Sequence, residues 1–216
     1  MNLKKIKCII VDFDSTLYSY GDSSSEDYED YLVEQNILPE IPNKYEKRAY
    51  LKGLYPKYHT IKAIFAYLHD NNIDDAGFRE FYDREIWEIR TKDTVFIKPE
   101  IIKEISKYYP IYIVSDSSTA YLEYYLGEAN IDKNCFSGIY SNTYDDETYS
   151  KMPVMKRVQN ETGVKPNEII MIGDSEYSDI QPAKLLGFQA QHINHVSETE
   201  KILQDLINIK SSKAIK

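Results

Sequence analysis

Apolar residues occur in this chain in two rhythms. One is the short unbroken run: Ile9-Ile10-Val11, Ile111-Tyr112-Ile113-Val114 and Ile169-Ile170-Met171-Ile172. Runs of this length, bounded by polar residues, suit strands buried on both faces, as in a parallel sheet. The other rhythm is helical. Ile102, Ile105 and Tyr109 follow Pro99-Glu100, and Tyr121, Leu122, Tyr125 and Leu126 lead to Gly127. A helix from Lys151 to Thr162 is closed by Gly163, and another from about Asp179 to Leu186 is followed by Gly187. Residues 6–12 form the first strand, and Ile139-Tyr140 and Phe188–Ala190 read as short further strands. Strand and helix in alternation predict an α/β fold with a doubly wound parallel sheet, Rossmann-like in its core.

Between the first strand and about residue 95 only the helical rhythm is present. Tyr28, Tyr31, Leu32 and Gln35 share one spacing, and Pro39 and Pro42 then break the chain. Ile61, Ile64, Phe65 and Leu68 share a second, and Phe78, Tyr82, Ile86 and Ile89 a third. The expected organisation is a core of residues 1–17 and 95–216 with an all-helical insert, residues 18–94, directly after the first strand. An insert there is placed to act as a lid. Its acidic opening, with Asp22, Glu26, Asp27, Glu29 and Asp30, reads as a solvated helix start capped within Ser23 to Ser25. The lysine-bearing tail after Ile209 is expected to fray.

Composition narrows the function. The 216 residues carry a net charge of -9, which argues against a nucleic-acid polymer as partner. No run approaches ~18 apolar residues, so no membrane span is expected. The lysine-flanked start is too short in its apolar part for a secretion signal, and a soluble, cytoplasmic protein is expected. Two cysteines, Cys8 and Cys135, make no disulfide framework. Hydrophobic residues make up 42%, and 20 of all residues are tyrosines, so tyrosine must fill much of the core and each buried hydroxyl needs a partner.

The chemistry-bearing residues lie where the apolar runs stop. Asp12 and Asp14 follow the first, Ser115 the second, and Gly173-Asp174-Ser175 the third, while Lys151 opens a helix. One sheet would bring them to one edge, where doubly wound folds build their sites. Crowded carboxylates call for a cation or a shared proton. Mg²⁺, a hard ion that prefers oxygen ligands, suits Asp12 and Asp174. With phosphate bound, Asp12 could attack phosphorus, Asp14 could serve as acid and then base, and Ser115 and Lys151 could meet the phosphoryl oxygens. Any one of these residues alone is ordinary: a loop Asp, a turn serine, a solvated lysine. His192 and His195, three apart, read as loop histidines.

Together, in this order, they resemble the four motifs of the haloacid dehalogenase superfamily, in its phosphatase branch. Asp12-Phe13-Asp14-Ser15-Thr16 resembles the first motif, Ser115 the second, Lys151 the third, and Gly173-Asp174-Ser175-Glu176-Tyr177-Ser178-Asp179 the fourth. The insert sits where that superfamily places its helical C1 cap. The resemblance implies Asp12 as nucleophile and metal ligand, and Asp14 as acid/base with its main-chain carbonyl also on the metal. It implies that Asp174 completes the Mg²⁺ site, that Ser115 and Lys151 bind phosphate, and that Asp179 and Thr16 support these groups from behind. Asp116 stands where relatives often carry Asn, and Met152 separates Lys151 from Pro153. The implied activity is Mg²⁺-dependent hydrolysis of a small phosphorylated metabolite, such as a nucleoside monophosphate, a sugar phosphate or phosphoglycolate, through an aspartyl phosphate. A phosphomutase uses the same core residues, and a phospho-aspartate signalling module shares several of them.

Overall fold

The computed structural model describes residues 2–20, 94–141 and 151–214. The chain divides into two compact units, Met1–Ser19 with Val95–Lys216, and Tyr20–Thr94. The expected helices of the insert lie outside the described residues.

The first unit is built on five parallel strands: β1 (Cys8–Val11), β4 (Ile111–Val114), β5 (Gly138–Tyr140), β6 (Ile169–Gly173) and β7 (Gln189–His192). Their order is β5-β4-β1-β6-β7, so the first strand lies at the centre. Its register sets Ile9 against Ile111 on one side and Ile170 on the other, and Val11 against Ile113 and Ile172. All residues of β1, β4 and β6 are buried, which is why they read as unbroken apolar runs rather than alternating ones. The edge strands β5 and β7 are half-buried. A separate two-stranded sheet pairs β2 (Tyr18–Tyr20) with β3 (Thr94–Phe96), where the chain departs and returns.

The helices are α1 (Pro99–Ile105), α2 (Thr119–Glu128), α3 (Met152–Thr162), α4 (Gln181–Leu185) and α5 (Val196–Ala214). Met155 and Val158 of α3, with Ala183 of α4, close over Cys8, Ile10, Val114, Ile169 and Met171 on one face of the sheet. The residues that alternate with these, Ile9, Val11, Ile113 and Ile172, are equally buried on the other face. Each fully buried Ile or Val is worth ~1.5–3 kcal/mol relative to exposure. Ser118 caps α2 by accepting from the N–H of Tyr121, and Gly163 ends α3 at φ 62°, a left-handed conformation that favours glycine.

Two expectations change. The tail after Ile209 is helical through Ala214, because α5 is anchored upstream by buried Leu203, Leu206 and Ile207 and packs on α1. The helix expected from about Asp179 begins instead with a π-helical turn, Glu176–Ile180, and only then becomes α4. Among the described residues no helix is long and apolar enough to cross a membrane.

Candidate active site

The strand order reverses at β1. The chain works outward from β1 through β4 to β5, then returns to β6 on the other side. The crevice at the carboxyl ends of strands beside such a reversal is the usual ligand site of this architecture. Asp12 lies one residue past β1, and its N–H donates to Ile172 O at 2.9 Å, which fixes it between β4 and β6. Ser115 follows β4, its N–H held by Tyr140 O at 2.9 Å. Asp174 follows β6 directly.

Sequence-distant charges meet here. Lys151 Nζ donates to Asp12 Oδ1 at 2.6 Å and to Asp179 Oδ1 at 2.7 Å, and all three side chains are buried. The lysine reaches them from the residue just before α3. Asp179 is delivered by the π-helical turn, and its Oδ2 also accepts from the N–H of Ser175 at 3.1 Å. Such turns often mark functional sites, because the extra residue re-aims a side chain. Asp12, Asp174 and Asp179 each present a carboxylate oxygen within 4.8 Å of the other two. Two buried carboxylates and the half-buried Asp174 against one ammonium leave an excess of negative charge.

The acids register that excess. Burial, with Asp179, Asp174 and Asp14 adding to it, holds the Asp12 carboxyl well above the usual carboxylate range, although Lys151 opposes the shift. Burial and the charge of Asp179 push Asp174 up to about 7. Burial works against the charged form of Lys151, yet Asp12 and Asp179 together raise it well above its ordinary value. Lys151 is therefore a fixed cation, and the carboxyls around it want a second one. An all-oxygen, acid-rich donor set fits a hard divalent ion such as Mg²⁺.

The first loop is bent sharply. Ser15 has φ 56°, costly for a residue with a side chain, and the N–H groups of Thr16 and Leu17 both turn to Phe13 O. Thr16, expected to support the site, is buried with its Oγ1 unpaired among the described residues. Asp14 stands apart from the carboxylate cluster. Its Oδ1 accepts from Tyr18 Oη at 2.6 Å and Tyr121 Oη at 3.0 Å, and its Oδ2 from Ser117 Oγ at 2.5 Å. Ser115 Oγ accepts from the N–H of Ser117 at 3.1 Å. The structure thus brings Asp12, Lys151, Asp174 and Asp179 together, with Asp179 paired to the lysine. The hydroxyls of Tyr18, Ser117 and Tyr121 were not anticipated. The one sequence signal for the two tyrosines is the excess of that residue, whose buried hydroxyls need acceptors, and Ser117 has none.

A doubly wound α/β core with a buried acid–lysine cluster at its switch point defines the class of the protein. The chain belongs to the haloacid dehalogenase-like hydrolases, whose family model matches residues 6–187. No curated protein sequence matches it. Among solved structures, it is similar to a haloacid dehalogenase-like family hydrolase from Streptococcus pneumoniae, at 19% identity and TM-score 0.53 over 93% of this chain and 91% of that one. A HAD phosphatase from Thermococcus onnurineus matches at 16% identity and TM-score 0.56 over 92% and 98%. A HAD family enzyme from Bacteroides thetaiotaomicron, in complex with magnesium and inorganic phosphate, matches at 15% identity and TM-score 0.50 over 87% and 93%.

Proposed function

We propose that this hydrolase cleaves a small phosphomonoester through an aspartyl phosphate on Asp12. The observation that carries the reading is the shared lysine: Lys151 Nζ lies 2.6 Å from Asp12 Oδ1 and 2.7 Å from Asp179 Oδ1, inside a cluster of three carboxylates of which Asp12 and Asp179 are buried and Asp174 half-buried. A lysine so held orients one oxygen of Asp12 and offers positive charge beside it. Asp12 and Asp174 would hold Mg²⁺, with the main-chain carbonyl of Asp14. When bound, the ion supplies the charge that lets an anionic carboxylate approach an anionic phosphate. The similar Bacteroides enzyme is in complex with magnesium and inorganic phosphate, which supports Mg²⁺ as the ion.

Asp12 attacks phosphorus, and the bond from phosphorus to the leaving oxygen breaks. The electron pair stays on that oxygen, which takes a proton from Asp14. Asp14, now ionised, removes a proton from water, and the water oxygen attacks the aspartyl phosphate to release phosphate and restore Asp12. Lys151 and the Ser115 hydroxyl meet the phosphoryl oxygens, where charge collects. The substrate class is a small phosphorylated metabolite such as a nucleoside monophosphate, sugar phosphate or phosphoglycolate.

Release of inorganic phosphate from p-nitrophenyl phosphate tests the reading. Turnover is expected with Mg²⁺, to vanish with chelator, and to fall by orders of magnitude in Asp12→Asn. Near-normal turnover of Asp12→Asn would remove the nucleophile assignment.

A further inference from the structure

We propose that Tyr18, Ser117 and Tyr121 are positioning residues that hold the Asp14 carboxyl in one orientation for proton transfer. The inference rests on the reading of Asp14 as the acid/base. Three hydroxyls from three parts of the core converge on this side chain. Tyr18 opens β2, Ser117 lies in the loop after β4, and Tyr121 lies in the first turn of α2. They reach it at 2.6, 2.5 and 3.0 Å, respectively. An ionised carboxylate only accepts, so all three hydroxyls donate. The two tyrosines together fill the lone pairs of Oδ1. A proton carried by Asp14 therefore sits on Oδ2, the edge shared with Ser117.

The donors are themselves fixed. Tyr18 and Tyr121 are 1% and 4% exposed. Tyr18 stacks on Tyr125, with ring centres 4.7 Å apart and planes 14° apart, and Tyr121 lies 4.8 Å from the same ring. Phe13 closes on Tyr18 at 5.0 Å. A tyrosine ring has few torsions, so a packed ring holds its hydroxyl to the tolerance of the core. Ser117 is tied by its own N–H to Ser115 Oγ, which couples the phosphate-binding serine to the orientation of Asp14. As the bond from phosphorus to the leaving oxygen breaks, the pair remains on that oxygen and the Oδ2 proton moves to it. Asp14 is left as a carboxylate with the three donors already in place, and water later returns the proton.

Buried tyrosines need acceptors in any case, so the test must separate alignment from packing. Tyr18→Phe, Tyr121→Phe and Ser117→Ala are made in the full chain and assayed with Mg²⁺ on phenyl phosphate, a poor leaving group, and p-nitrophenyl phosphate, a good one. Circular dichroism establishes that each is folded, and any one that is not leaves the other two to carry the test. For phenyl phosphate kcat/KM is expected to fall about 10- to 100-fold, for p-nitrophenyl phosphate less than about 3-fold, and inhibition by inorganic phosphate to stay within about twofold. In an Asp14→Asn background the same replacements are expected to add nothing further. Equal slowing of both substrates, no slowing, or losses that multiply with Asp14→Asn would overturn the positioning role, and the acid/base reading would stand. Near-normal kcat/KM of Asp14→Asn on phenyl phosphate would overturn the acid/base reading and this inference with it.

Discussion

The side chain of Asp179 folds back over Gly173 so closely that a Cβ built on the glycine would lie within 3.0 Å of three of its atoms, the Cβ among them. Gly173 ends β6, and Asp179 must pass over it to reach both the Ser175 N–H and Lys151. Gly173→Ala is therefore expected to displace Asp179 and unseat one half of the lysine bridge. A loss of stability of about 1–3 kcal/mol by urea denaturation should accompany a loss of activity, as for other overpacked sites. An alanine variant with unchanged stability and turnover would show that the close approach is dispensable.

Lys151 is the sole cation bonded to Asp12 among the described ion pairs. Removing it leaves two buried carboxylates without that partner, a change that typically costs about 3–5 kcal/mol. Lys151→Met keeps most of the side-chain volume and should still be strongly destabilised at neutral pH. It should recover part of that loss in acid, where Asp12, whose carboxyl burial already holds well above the usual range, can take up a proton. Comparing denaturation midpoints at pH 5 and pH 8 checks this, and equal losses at both would contradict it.

Asp174 sets a pH dependence in the metal-free protein. Burial, then the charge of Asp179, raises its pKa from 3.8 to about 7, so the folded state holds this proton more tightly than the unfolded one. Its contribution to stability is fully present below about 4 and is lost as pH rises towards about 7. Stabilisation by Mg²⁺, which competes with that proton, should grow over the same window. Thermal melts with and without Mg²⁺ from pH 5 to 8 measure both trends. Asp174→Asn should flatten the metal-free trend, and a Mg²⁺ effect independent of pH would count against Asp174 as a ligand.

The cysteines should differ in reactivity. Burial in β1 pushes the Cys8 thiol up to about 12, so almost none of the reactive thiolate is present at pH 8. Cys135 is half-buried. Iodoacetamide should label Cys135 in the native protein and Cys8 only after denaturation, as peptide mass mapping would show. Rapid native labelling of Cys8 would mean that the central strand opens readily.

The sheet was legible because its three inner strands are buried on both faces. Ile9–Val11, Ile111–Val114 and Ile169–Ile172 leave no polar residue to confuse the pattern. Asp12, Ser115 and Asp174 were legible for a related reason: each is the first or second polar residue past such a run. Tyr18-Ser19-Tyr20 was too short to betray β2, and its pairing with Thr94–Phe96 spans an insert that breaks any local signal. The π-helical turn has no sequence period of its own, so Asp179 read as the start of an ordinary helix. The hydroxyls on Asp14 were hidden most deeply. Ser117 and Tyr121 lie 103 and 107 residues from it in sequence, and only the β1–β4 pairing brings them near.

The central place of β1 also governs how the chain can be made. Its neighbours begin at Ile111 and Ile169, so during synthesis β1 is complete well before its first partner exists, and longer still before its second. During that interval Cys8–Val11 is an apolar segment with two open edges, the kind of sequence that pairs with other nascent chains. Lys4, Lys5 and Lys7 stand directly before it, and Asp12 and Asp14 directly after. Charges flanking an unavoidable apolar strand act as gatekeepers against such pairing. The two aspartates that follow β1 therefore serve the chain before its sheet exists, by keeping that strand apart from other nascent chains until β4 and β6 arrive.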